Sequence, residues 1–206
     1  MTTPYLPPID RPRGMIMKLA YWAARRMFGK VPTPLAVASA RMPFAFFRFS
    51  YKISQLDRKL ELPHELVLIL RQQVSGLNGC EFCMDLQRWY VGRKTPGFLE
   101  RFDALGDYWA SPLYSDADRA ALDFVTELTT RKHVTSDTFA ALSTHFSERE
   151  ICELAWVTAT EHVYNISNHG LNIGSDGLCR IQPATKPRRE MATVAAVDEP
   201  AAASHR

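Results

Sequence analysis

Leu77-Asn78-Gly79-Cys80-Glu81-Phe82-Cys83-Met84-Asp85 is the stretch on which the reading of this chain turns. Two thiols at positions i and i+3 of a helix share one face and lie within disulfide reach. Gly76 and Gly79 interrupt the helix before them, and Asn78 is a plausible cap for a helix running from Cys80 to about Val91. At that helix start the backbone dipole and the free N–H groups favour a thiolate, and they favour it most for Cys80.

Working outward, the periodicity stays helical on both sides. Upstream, Pro63 opens a helix in which Leu66, Ile69, Leu70 and Val74 form one stripe. Before it, Gly14 to Phe28 carries Met15, Leu19, Trp22, Ala23 and Met27, with Gly29 as the stop. Leu35 to about Leu56 reads as one helix bent at Pro43. Downstream, Pro96 opens a short helix through Leu105, and Ser115 with Asp118 forms a capping box before Ala121, Leu122, Val125 and Leu128. Ser136 caps the next helix. Ser147 with Glu150 opens a long one to about Asn168, with Ile151, Leu154, Ala155, Thr158 and Val163 as its apolar positions. No alternating Val/Ile/Thr-rich run bounded by turns occurs, so the expected fold is all-α, an antiparallel helical bundle.

The 206 residues suffice for one domain with a sizeable core. The expected organisation is a Pro-rich lead-in over 1–13, a single helical domain over 14–182 and a disordered tail over 183–206, too poor in large apolar groups to offset its ordering entropy. Net charge is +3, which forces no nucleic-acid role. The excess is terminal: residues 1–30 hold six Lys/Arg against Asp10 alone, whereas 31–179 hold 14 basic and 18 acidic residues. No signal peptide is visible and no apolar run reaches the ~20 residues of a membrane span. The expected location is therefore the cytoplasm, where thiols are kept reduced and a close CxxC pair reads as redox or metal-binding. A zinc site needs two further ligands, and His162, His169 and Cys179 stand in no familiar spacing. No cofactor and no metal ion is expected.

Other residues could serve the thiols. Glu65 starts the preceding helix, although Glu in a first turn commonly just complements the dipole. Asp85 and Gln87 lie within about a turn of Cys83. His162 and Tyr164 sit on the last long helix, where a satisfied core histidine is the plainer reading. Cys152 and Cys179 read as small buried hydrophobes. The first helix, basic and rich in large apolar groups, suits packing on the bundle or on another subunit, with surface membrane binding as a further option.

Glu65-Leu-Val-Leu-Ile-Leu-Arg71 followed by Asn78-Gly79-Cys80-Glu81-Phe82-Cys83 resembles the signature of the carboxymuconolactone decarboxylase / AhpD-like alkylhydroperoxidase family. Ser115-Asp-Ala-Asp-Arg-Ala-Ala-Leu122, Val134-Thr-Ser136 and His145-Phe-Ser-Glu-Arg-Glu-Ile151 resemble its later segments, so the likeness runs over about 60–179, with 14–56 as an N-terminal helical extension. The resemblance implies an AhpD-like helical fold and a homo-oligomer, commonly a trimer or hexamer, with a dimer also open. It implies that Cys83 attacks a hydroperoxide and Cys80 resolves it to a disulfide, which an external dithiol then reduces. This assignment opposes the dipole argument for Cys80, because the family activates the second thiol with a base. That base is a His four residues after the second cysteine, oriented by a Glu about twelve before the first. Gln87 and Leu68 stand at those positions here. Gln87 takes up no proton at neutral pH, which leaves Glu65, Glu81, Asp85 or His162 as substitutes.

The leading expectation is a thiol-dependent redox enzyme reducing hydroperoxides. The alternatives are a carboxymuconolactone-decarboxylase-type lyase, against which the thiol pair argues, and a non-catalytic oligomeric helical protein with a structural or redox-sensing pair.

Overall fold

The computed structural model describes residues 3–180. The tail expected over 183–206 lies outside the described residues. Eight α-helices, with no strand among the described residues, follow in order: α1 Met15–Phe28, α2 Pro43–Asp57, α3 His64–Leu77, α4 Glu81–Lys94, α5 Leu99–Asp103, α6 Asp116–Arg131, α7 Ser136–Ser143 and α8 Glu148–Gly170.

The helix stops and starts have local causes. Gly29, with φ 75°, sits in the left-handed region and donates its N–H to Arg25 O, closing α1. Both expected capping boxes form, Ser115 with Asp118 and Ser147 with Glu150. The cap of α7 is Thr135, one residue before the expected Ser136. The single helix expected over Leu35 to Leu56 is two: a π turn, Leu35–Ser39, and then α2 with Pro43 in its first turn. Proline disfavours the helical region for the residue before it, and Met42 accordingly leaves it, with φ −128° and ψ 54°.

Among the described residues three apolar clusters hold the fold together. The largest joins α3, α6 and α8 through Leu66, Ile69, Leu70, Val74, Leu122, Val125, Leu154 and Val157. A second packs Phe82 and Trp89 of α4 against Val37 and against Ile173 and Leu178 beyond α8. The third ties α1 to the π turn through Met17, Tyr21 and Ala36. The N-terminal extension thus reaches the thiol helix through Val37 and Phe28, the Phe28 ring lying 4.5 Å from that of Trp89.

The two ends of the described chain brace each other over α4. Tyr5 N–H donates to Leu171 O, Asn172 Nδ2 donates to Thr3 O, and Asp176 binds Lys30 Nζ at 2.9 Å and Thr33 N at 2.7 Å. Residues 171–180 therefore form a strap over the outer side of the thiol helix.

The inward face of α8 differs from expectation. Val163 is 43% exposed, because it stands about 200° around the helix from Glu161, which is buried at 5% exposure. The true inward stripe is Leu154, Val157, Thr158, Glu161, Asn165 and Asn168, apolar in its first half and polar in its second. Cys152 and Cys179, expected to be buried, are both exposed.

Candidate active site

Gly79 makes the turn between α3 and α4 with φ 68°, a conformation a side chain would strain. That turn lets Cys80 N–H donate to Ser75 O at 2.9 Å and sets Cys80 at the N-cap of α4. Cys83 follows in the first turn. The two sulfurs are bonded as a disulfide with Cα atoms 5.3 Å apart, and the residues are 1% and 5% exposed. Asn78, expected as the cap, makes no cap bond. Its amide donates instead to Asn165 Oδ1 at 2.8 Å and to His162 Nδ1 at 3.4 Å.

α8 lies along the inner side of the pair. Asn168 Nδ2 stands 3.4 Å from Cys83 Sγ and 3.6 Å from Cys80 Sγ, donating toward both. One turn back, Asn165 Nδ2 donates to Glu161 Oε1 at 3.0 Å. The same Glu161 oxygen accepts from Ser75 Oγ at 2.7 Å and from Gln87 Nε2 at 3.2 Å. Its other oxygen faces Arg71 Nε at 4.0 Å. Desolvation by burial pushes the Glu161 carboxyl above the usual carboxylate range, against the opposing pull of Ser75, Arg71 and Asn165. α4 and α8 thus meet along an antiparallel polar seam, with Cys83 opposite Asn168 and Gln87, one turn on, opposite Glu161.

The other expected residues fall in different places. Asp85 is buried on the strap side, where its carboxylate accepts from Leu178 N at 2.7 Å, Cys179 N at 2.8 Å and Ser175 Oγ at 3.0 Å. Burial opposes ionisation there, yet the Cys179 thiol together with these donors outweighs it and holds the Asp85 pKa low. Glu81 accepts from Ser175 N at 3.2 Å on the same side. Glu65 is exposed in the first turn of α3, twelve positions before its end and so about 18 Å along the axis from the thiol turn. His162 is half-buried. Desolvation and Lys132 lower its pKa, so the neutral ring accepts at Nδ1 from Asn78 and donates at Nε2 to Thr129 Oγ1 at 3.4 Å. Leu68, where the resembled pattern has its carboxylate, packs on the main core. Among the described residues no group of three His, Cys, Asp or Glu side chains converges as metal ligands would.

Asn168, Asn165, Glu161 and Ser75 were not singled out in the sequence. A signal for three of them was present: from Leu154 onward the steps of four, three, four and three residues continue the apolar stripe into Thr158, Glu161, Asn165 and Asn168.

No family model matches the chain. The uncharacterized protein YnjA of Escherichia coli (strain K12) is 28% identical over 178 residues, 85% of this chain and 96% of YnjA. The debrominase Bmp8, solved without ligand, superposes with a TM-score of 0.71 at 21% identity, over 85% of this chain and 94% of its own. An uncharacterized peroxidase-related protein from Ralstonia eutropha JMP134, described as an alkylhydroperoxidase AhpD core, superposes with a TM-score of 0.66 at 18% identity, over 84% and 95%. The chain has the AhpD-like fold. Proteins of this AhpD-like shape bear more than one activity name, peroxidase-related in one case and debrominase in another.

Proposed function

We propose that this protein is a thiol-dependent oxidoreductase that reduces hydroperoxides through a Cys80–Cys83 dithiol–disulfide cycle. The observation that carries the reading is the pair itself: two buried sulfurs at a helix N-terminus, both within reach of the Asn168 amide donor. A donor aimed at sulfur favours the thiolate, the form that attacks peroxide. In the cycle the Cys83 thiolate attacks the outer oxygen of ROOH and the O–O bond breaks. RO⁻ takes a proton to leave as ROH, and Cys83 becomes the sulfenic acid. The Cys80 thiolate then displaces hydroxide, which leaves as water, and the disulfide forms. An external dithiol, itself oxidised, restores both thiols by exchange.

The assignment of attack to Cys83 rests on its place in the polar seam with Asn168 and Gln87, whereas Cys80 is the more buried and is fixed by Ser75. No helix among the described residues is long and apolar enough to cross a membrane. The outer faces of α1 and α2 expose Met15, Trp22, Phe44 and Tyr51, which supports a homo-oligomer in which another copy covers them.

Fully reduced protein mixed with tert-butyl hydroperoxide and a recycled dithiol should consume peroxide, and Cys83→Ser should abolish consumption. Absence of turnover in the native protein, unchanged by Cys83→Ser, rejects the reading. A second substrate class merits the same assay because Bmp8 was also solved, as a Cys-to-Ala variant, with 2,3,4-tribromopyrrole. Bromide release from a bromopyrrole without peroxide turnover would replace hydroperoxide reduction with reductive dehalogenation at the same pair.

A further inference from the structure

The cleavage of a peroxide leaves an alkoxide, so a thiol peroxidase needs a proton donor beside its nucleophile. At the two positions where the resembled pattern keeps its proton relay, this chain has Leu68, half-buried against the core, and Gln87. A carboxyl nevertheless reaches the same place from another helix. Glu161 of α8 is 5% exposed and is bound through one oxygen by Ser75, Gln87 and Asn165. Gln87 is one turn after Cys83 on α4 and donates to the Glu161 carboxyl, and Glu161 is two turns before Asn168 on α8, so the carboxyl lies between one and two turns along the seam from the sulfur. Gln87 has spent its amide nitrogen on Ser75 and Glu161, while its Oε1 is buried without a hydrogen-bond partner. A buried amide oxygen in that condition is a natural anchor for a bridging water.

We propose that Glu161 donates the proton to the oxygen that leaves when the Cys83 thiolate splits a hydroperoxide, acting through water held by Gln87 Oε1. This deepens the thiol-peroxidase reading and rests on it. The balance is direct: Cys83–S⁻, ROOH and Glu161–COOH give Cys83–SOH, ROH and Glu161–COO⁻. The carboxylate regains its proton when Cys83 is next deprotonated, after the external dithiol has reduced the disulfide. Desolvation keeps the carboxyl protonated at higher pH than an exposed glutamate, as a donor requires. Gln87 is a positioning residue in this scheme.

Two reactions of the same sulfur separate this role from a structural one. Iodoacetamide expels iodide, which needs no proton, whereas tert-butyl hydroperoxide expels an alkoxide. In Glu161→Gln the second-order rate with tert-butyl hydroperoxide should fall about a hundredfold, while alkylation of reduced Cys83 stays within about twofold of native. Equal losses in both reactions, or no loss in either, overturn the proposal. The native protein supplies a second test that needs no variant. Its peroxide rate, divided by its alkylation rate at each pH, should fall as pH rises through the titration of Glu161. A ratio independent of pH overturns the proposal. Native protein that alkylates but consumes no peroxide defeats the peroxidase reading, and this role with it. Native turnover matched by Glu161→Gln defeats this role alone.

Discussion

Replacing Asn168 with alanine removes an amide that addresses both sulfurs, and its effect can be sized. Hydrogen bonds to charged groups are worth about 1.5–3 kcal/mol. Sulfur is a diffuse acceptor, and the separations here are 3.4 and 3.6 Å, so the lower end applies. A loss of ~1.4 kcal/mol from the thiolate raises the midpoint of thiol ionisation by about one unit. Below that midpoint the thiolate fraction then falls about tenfold. The assay is the pH dependence of iodoacetamide alkylation of the reduced protein under pseudo-first-order conditions. Near-neutral rates should drop about tenfold, while the plateau at high pH should match native. Because the disulfide state carries no charge for Asn168 to stabilise, the reduction potential above the shifted midpoint should also become more negative by about 30 mV. A pH–rate curve for Asn168→Ala that superimposes on the native curve, in protein with native circular dichroism, refutes the claim that this amide stabilises the thiolate.

Further outcomes are expected elsewhere. Asp85→Ala strips the acceptor from the buried Leu178 N–H, at about 1–3 kcal/mol, and from the part-buried Cys179 N–H, and should speed amide exchange at both. In native protein the Asp85 pKa is depressed, so its contribution is present above the unfolded value of 3.8 and is lost as pH falls through the folded value; strap protection measured by exchange should weaken only in acid. Glu161 has the opposite sign: its folded pKa is raised, so its contribution is full below 4.5 and is lost as pH rises through the folded value, and Glu161→Gln should flatten that part of a stability-versus-pH series. Leu154→Ala, at a position with 0% exposure, should cost about 2–5 kcal/mol in denaturant titrations. Native oxidised protein should present Cys152 and Cys179 to an aromatic disulfide reagent, with two further thiols appearing only after reduction. Trp22→Glu with Phe44→Glu should lower the mass measured by light scattering if another copy covers α1 and α2.

The helices were legible because their punctuation is chemical and local. Ser115 with Asp118 and Ser147 with Glu150 close boxes that depend on four adjacent residues, and Gly29 ends α1 because a left-handed residue is needed there. The break before Pro43 was half-read: proline announced a disturbance, but a bend and a full restart differ only in what Met42 does. The thiol pair was legible for the same local reason. Its surroundings were not, because Asn168 meets Cys83 across 85 residues of sequence, and no spacing rule links α4 to α8. Asp85 shows the converse error. Two positions from Cys83 in sequence, it points to the other side of the helix and belongs to the strap. Glu161 continues the Leu154 and Thr158 spacing of α8, but the apolar pattern runs to Val163 instead, because a charged side chain on an inward face carries no apolar signal.

The seam also imposes an order on biosynthesis. Asn168 lies 88 residues after Cys80, so at about 5–20 residues per second a ribosome releases the thiols roughly 5–20 s before it releases the amide that will hold them. The strap and its bonds to Thr3 come later still. For that interval the dithiol is an open sequence on a nascent chain, reactive on its own terms and unshielded. An oxidant arriving in that interval would meet the pair before Asn168 and the strap surround it.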